Sequence, residues 1–182
     1  MAKHVSRPEN GSDEKNKQLR SLLRSLAALL LKIAVFAVVV ILLLGYVFGL
    51  TRAAGTGMQP AFRDGDVVLF FRMADDFAAN EVVVVQYQGE KLLERVVAAA
   101  GDTVDITEDG LIINGAAVRE PGATGETTQF EEGITFPLTV PEGQVFVLGD
   151  NREHTTDSRI FGCVDTEDVY GRVIGLFRRR EL

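Results

Sequence analysis

Few side chains in this 182-residue chain could attack a carbonyl carbon or move a proton near one. Cys163 and His154 make a formal thiol and imidazole pair. A nucleophile needs its base within hydrogen-bond reach, and nothing in their separation requires that, so Cys163 reads first as a lone packed thiol. Glu94 could serve as a base toward water, but a carboxylate with neither metal nor partner is weak equipment for amide hydrolysis. A solvated or ion-paired strand residue is the expected state of Glu94, with Arg95 facing the opposite way along the strand. Thr56 lies in "AGTGMQPAF" (54–62) next to Gly57, and in an extended segment its hydroxyl would point away from the face that residue 57 occupies. One Cys and two widely separated His, His4 and His154, make a metal site unexpected, and no cofactor is expected. The polar run "GDNREHTTDSR" (149–159) is rich in residues that bond to neighbouring backbone, and it reads as a turn network that fixes the fold.

Strands are the elements expected to position these groups. "DVVLFFR" (66–72), "EVVVVQYQ" (81–88), "KLLERVVAAA" (91–100), "TVDI" (103–106), "LIING" (111–115) and "QVFVLGD" (144–150) are dominated by Val, Ile, Leu and Phe. Gly-Asp, Asn-Gly and Pro-Glu-Gly punctuate them at short intervals, where the chain must reverse. The expected class is mainly β, in coiled or barrel-like antiparallel sheets. "REPGATGETTQFEEGITF" (119–136) has little apolar period and is expected to be a flexible or small insert.

The charge is uneven. Residues 1–32 hold seven Lys and Arg against three Asp and Glu, whereas the rest hold twelve against twenty-three. An acidic domain of this kind is a poor partner for nucleic acid. The break falls at "IAVFAVVVILLLGYVFGLT" (33–51), nineteen uncharged residues that continue an apolar tract from Leu26. About 20 apolar residues cross the roughly 30 Å hydrocarbon core, while a cleaved secretory signal has an apolar stretch of only about 7 to 15. The tract therefore reads as an uncleaved signal-anchor in contact with membrane lipid. Lys15, Lys17, Arg20, Arg24 and Lys32 precede it and only Arg52 closely follows, which by the positive-inside rule keeps the N-terminus cytoplasmic and the C-terminal domain outside the cell membrane. The expected boundaries are a cytoplasmic tail over 1–17, the membrane helix over 18–52 and the β domain over 53–182.

Five segments in order carry a family resemblance: the anchor; "GMQPAF" with "GDVVLF"; "EVVVV"; "LLERVVAAAGDTVDI" with "GLIINGAAV"; and "PEGQVFVLGDNREHTTDSRIFGCV". The chain resembles the type I signal peptidases, membrane-anchored serine proteases that use a Ser/Lys dyad to remove signal peptides from exported proteins. Its short loops and single anchor look like the Gram-positive and actinobacterial branch. The resemblance implies that the nucleophilic Ser, directly before Met-x-Pro, falls at Gly57, and that the Lys before Arg-Val-Val falls at Glu94. Both dyad members are then replaced.

The resemblance implies roles for the neighbours as well. Thr155 matches a Ser that orients the Lys. Asp157 and Arg159, with Ser158 between them, match an ion pair that braces the site, and Asp150, Asn151 and Arg152 match the turn that carries it. Met58 and Pro60 match residues shaping the substrate cleft, although core packing and a rigid turn would equally explain them.

The resemblance thus implies a homologue that binds exported precursors or pilins, some such proteins accompanying sortase-built pili, without cleaving them. The alternatives are an active peptidase with an unconventional nucleophile, and a structural or regulatory membrane protein that handles no peptide.

Overall fold

The computed structural model describes residues 11–178, with side chains from residue 16 onward. One helix, α1 (Gly11–Val47), is followed by strands β1 (Phe48–Arg52), β2 (Val67–Phe71), β3 (Val82–Tyr87), β4 (Glu90–Ala99), β5 (Thr103–Thr107) and β6 (Gly110–Ile113). Then come β7 (Ala116–Ala117), β8 (Leu138–Thr139), β9 (Gln144–Leu148), the short helix α2 (Ser158–Phe161), β10 (Val164–Asp165) and β11 (Val169–Phe177). The protein is mainly β, as expected.

Over Asn16–Val47 helix α1 is long and apolar enough to cross a membrane. Its limits differ from those expected. The helix begins at Gly11 within the expected tail, because elongation from an established helix adds one hydrogen bond for each residue fixed; the rest of that tail lies outside the described residues. It stops at Val47 rather than residue 52, because Phe48–Arg52 pairs antiparallel with β2, from Phe48 opposite Phe71 to Arg52 opposite Val67. The end of the apolar tract is thus a sheet strand, satisfying its backbone from a neighbour instead of from its own helix.

The larger sheet has the order β1-β2-β11-β3-β4-β9-β10 and the smaller β7-β6-β5-β8. All the pairings in both are antiparallel. Strand β11, between β2 and β3, was not among the expected strands. Gly171 makes its place possible: a Cβ there would lie 2.1 Å from the Phe71 carbonyl oxygen, and the residue sits at φ +148° where the register shifts.

Val83, Val85, Val96, Val145 and Val147 alternate inward from β3, β4 and β9 to form one core. Ala98, Phe146 and Leu148 form a second with Val104, Ile106 and Leu111 of the smaller sheet. Burying each of the larger of these side chains contributes about 1.5–3 kcal/mol. A third cluster, Ala53, Met58, Phe62 and Val68, lies where the turn after β1 packs on β2.

Residues 119–136 form no named element, but they are not a loose excursion. Thr124 N–H donates to the Asp150 carbonyl at 2.7 Å and Arg152 N–H to the Thr124 carbonyl at 2.9 Å, while Ile134 N–H donates to the Arg159 carbonyl at 3.0 Å. Thr127 is buried, and the Arg159 guanidinium lies 4.6 Å from the centre of the Phe130 ring. An aperiodic segment is held here by polar anchors rather than by an apolar face.

Candidate functional site

Residues 57–61 form a turn, not an extended strand, and the segment 149–155 holds it from below. Asn151 N–H donates to the Gly57 carbonyl at 2.8 Å, and Asn151 Nδ2 donates to the Thr56 carbonyl at 3.2 Å. Asp150 N–H points at the Met58 sulfur at 3.4 Å. The Gly57 amide donates to no backbone acceptor among the described residues.

The close approach depends on Gly149. A Cβ there would lie 2.2 Å from Thr155 Oγ1 and 2.8 Å from the Gly57 carbonyl oxygen. At Gly57 the space is tight but present, since a Cβ would stand 3.0 Å from Thr155 Oγ1.

Gly57, Met58, Glu94 and Thr155 line one cleft of about 300 Å³. Ala53, Phe62, Leu92 and Leu93 give it apolar walls, and Thr56, His154 and Thr156 add polar ones. Thr56 therefore opens on the same cleft as Gly57, contrary to the alternation expected of an extended segment, because a turn does not alternate its side chains. Pro60 is exposed and lies outside the cleft wall, whereas Met58 serves both the cleft and the core. Cys163 packs beside the second core, where burial pushes its thiol pKa up, while His154 faces the cleft. The formal Cys/His pair is not assembled.

Glu94 overturns its expected state. It is 3 % exposed, neither solvated nor ion-paired, and its Oε2 is buried without a hydrogen-bond partner. On β4 it shares the buried parity of Val96, opposite Val83 of β3. Loss of hydration is the main reason its carboxyl is held well above the usual carboxylate range. The charges of Asp157 and Asp150 push in the same direction, and those of Arg159 and Arg152 oppose them.

Arg95 does face the other way, and forms a two-pronged pair with Asp150, each contact 2.7 Å, plus a bond to the Asn80 carbonyl at 2.8 Å. The remaining motif residues form a buried polar frame. Asp157 caps α2 and accepts from the Arg159 backbone at 3.0 Å, from its Nε at 2.9 Å and from its Nη2 at 2.9 Å. Ser158 Oγ accepts the Val147 N–H at 3.0 Å. Arg152 donates to the Gly149 carbonyl at 2.9 Å, to Thr127 Oγ1 at 2.6 Å and to Glu120. Sequence reasoning missed Glu120 and Thr127, which no local pattern connects to Arg152.

A cleft of mixed polar and apolar lining between a backbone turn and a strand, with buried Asp/Arg pairs behind it, is what this fold builds around Gly57 and Glu94. Residues 26–177 match the family described as signal peptidase, peptidase S26, and the chain belongs to that family. It is 32% identical over 153 residues to signal peptidase I of Bacillus licheniformis, covering 77% of this chain and 82% of that one. It is 31% identical over 136 residues to signal peptidase I of Bacillus amyloliquefaciens, covering 70% and 74%. A crystal structure of a signal peptidase I from Enterococcus faecalis is 31% identical and covers 54% of this chain and 97% of its own, with a TM-score of 0.47. The protein is a signal peptidase I-like protein with an apolar N-terminal helix suited to a membrane anchor.

Proposed function

We propose that this protein is a membrane-anchored, non-catalytic relative of signal peptidase I whose cleft binds extended segments of exported precursors, pilins of a sortase-type assembly among them. The observation that carries the reading is the pairing of Gly57 with Glu94 on one cleft wall. The first offers no side-chain oxygen for an acyl intermediate, and the second is a buried acid where a neutral amine would be needed to take a proton. Main chain remains: the Gly57 amide is available to a peptide carbonyl, and an extended ligand binds through backbone more than through catalytic side chains.

The membrane orientation follows the charges. Lys17, Arg20 and Arg24 precede the apolar tract that starts at Leu26, and Lys32 lies near its start, an asymmetry that supports a cytoplasmic N-terminus and an outer β domain. Protease added to intact cells should digest the β domain and spare an N-terminal tag; the reverse pattern overturns the orientation.

A second reading, active signal peptidase I, is favoured by the hydroxyls of Thr56 and Thr155 on the same wall as Glu94. One comparison separates the two: the wild type, Gly57→Ser, Glu94→Lys and the double variant, each tested in detergent on a fluorogenic signal-peptide substrate. Cleavage by the double variant alone is expected, because members of a catalytic pair do little singly. Cleavage by the wild type, lost in Thr56→Val or Thr155→Val, supports the second reading instead.

A further inference from the structure

Glu94 is unusual for what surrounds it as much as for its burial. Among the described residues, the guanidinium groups of Arg95, Arg152 and Arg159 near it are engaged elsewhere. Arg159 is held by Asp157, Arg95 by Asp150, and Arg152 by Glu120, Thr127 and the Gly149 carbonyl. The cleft wall itself carries neither Lys nor Arg, and Glu94 is its one acidic residue. Its Oε2 therefore has no partner, in a strand position as buried as its apolar neighbours. Such an atom calls for a donor from outside the fold.

We propose that the cleft is a receptor for a primary ammonium group, the side chain of a lysine in the bound polypeptide, with Glu94 as counter-ion and the Thr155 hydroxyl as a second acceptor. This rests on the reading of the cleft as a peptide-binding groove and adds the side chain it selects. An ammonium fits better than a guanidinium. It is a compact charge on an unbranched stem, which can lie against Met58, Phe62, Leu92 and Leu93, whereas a planar fork needs two accessible oxygens side by side. The acidity of the domain, twelve basic against twenty-three acidic residues after position 32, draws a cation toward it.

Binding has a proton balance. In the empty cleft burial raises the proton affinity of the Glu94 carboxyl, with Asp157 and Asp150 adding to that effect and Arg159 and Arg152 reducing it, so below its raised pKa the carboxyl enters binding protonated. The entering ammonium keeps its three protons, the carboxyl becomes a carboxylate, and one proton leaves to solvent. Affinity must then rise with pH by about tenfold per unit until the Glu94 carboxyl ionises unaided. His154 is the other titratable group on the cleft wall, and a His154→Gln variant separates its contribution.

The test uses the full chain in detergent micelles with carbon-13-labelled glutamate. n-Butylamine and n-butanol are the probes, and the Glu94 signal is identified by its loss in Glu94→Gln. Butylamine should saturate, shift the Glu94 carboxyl toward its ionised position and bind at least tenfold more weakly to Glu94→Gln. Thr155→Val should weaken it less, and n-butanol should leave the carboxyl unmoved. Equal binding of the two probes, or undiminished binding to Glu94→Gln with its native spectrum intact, overturns the proposal. So does affinity that falls as pH rises, which would mean that a neutral carboxyl donates to an acceptor. A precursor-derived peptide then separates the two readings. Equal binding with lysine or norleucine overturns the ammonium receptor and keeps the groove, while butylamine binding without peptide binding supports the receptor and overturns the groove.

Discussion

Asp157 and Arg159 face each other at 2.9 Å two residues apart in the chain, and neither side chain reaches solvent. Leaving one of them alone in the interior strands a charge. Arg159→Met is expected to cost about 3–5 kcal/mol of stability, the range for breaking a buried pair. The partly exposed pair Arg172 and Glu81, at 2.7 Å, is the control, and Arg172→Met should cost at most about 1 kcal/mol. Denaturant titration of the full chain in detergent reads both, and equal losses would refute the distinction.

Glu94 should make the protein less stable as pH rises. Its folded-state carboxyl holds a proton well above the ordinary value of 4.5. Above that pH the unfolded chain releases the proton and the folded chain does not, so the unfolded state gains by about 1.4 kcal/mol per pH unit until the folded carboxyl also ionises. Glu94→Gln removes the slope. The variant is expected to gain on the wild type as pH climbs from the acid range to neutrality, in unfolding midpoints measured across that window.

Asp66 should behave in the opposite sense. Hydrogen bonds from Arg178, the shortest at 2.6 Å, are the first cause that lowers its carboxyl pKa, so this contribution is present above the ordinary value of 3.8 and is lost as pH falls through the depressed one. Arg178→Ala should lower stability at neutral pH and flatten the acid limb of the same curve.

Gly149 is the most sterically demanding position at the cleft. Gly149→Ala places a methyl 2.2 Å from Thr155 Oγ1 and 2.6 Å from its Cβ, and overpacking of this kind costs about 1–3 kcal/mol. Thr155→Ala in the same chain removes the first clash and leaves the second, so thermal unfolding of the double variant should show partial rescue. No rescue would mean that the Gly57 carbonyl, 2.8 Å from the same methyl, dominates.

Several elements were readable from residue types because they are built from near-continuous runs of Val, Leu and Phe. β3 reads "VVVVQY" and β9 "QVFVL", and each has buried residues at successive positions. β11 was not readable: "VYGRVIGLF" carries two glycines and an arginine, and its register shifts beside each glycine, between Val169 and Gly171 against β3 and between Val173 and Gly175 against β2. β1 was hidden inside an apolar tract that reads equally as membrane helix. The burial of Glu94 did have a signal, since positions 94, 96 and 98 share one parity on β4 and the latter two are Val and Ala. Charge outweighed period in that reading. The anchoring of Glu120, Thr127 and Phe130 had no comparable signal, because each contact joins residues far apart in the chain with no repeating pattern.

The position of β11 bears on how the molecule comes to exist. This strand is the last of those among the described residues, yet it lies in the interior of the larger sheet with β2 on one side and β3 on the other. Until Val169–Phe177 is in place, β1 and β2 have no seam joining them to β3, β4, β9 and β10. Without it the larger sheet is two half-sheets with open edges, which only a strand arriving between them can cover. The contacts that join the two halves are thus long-range ones, Arg172 with Phe71 on one side and with Val83 on the other, the kind that set a slow pace for folding.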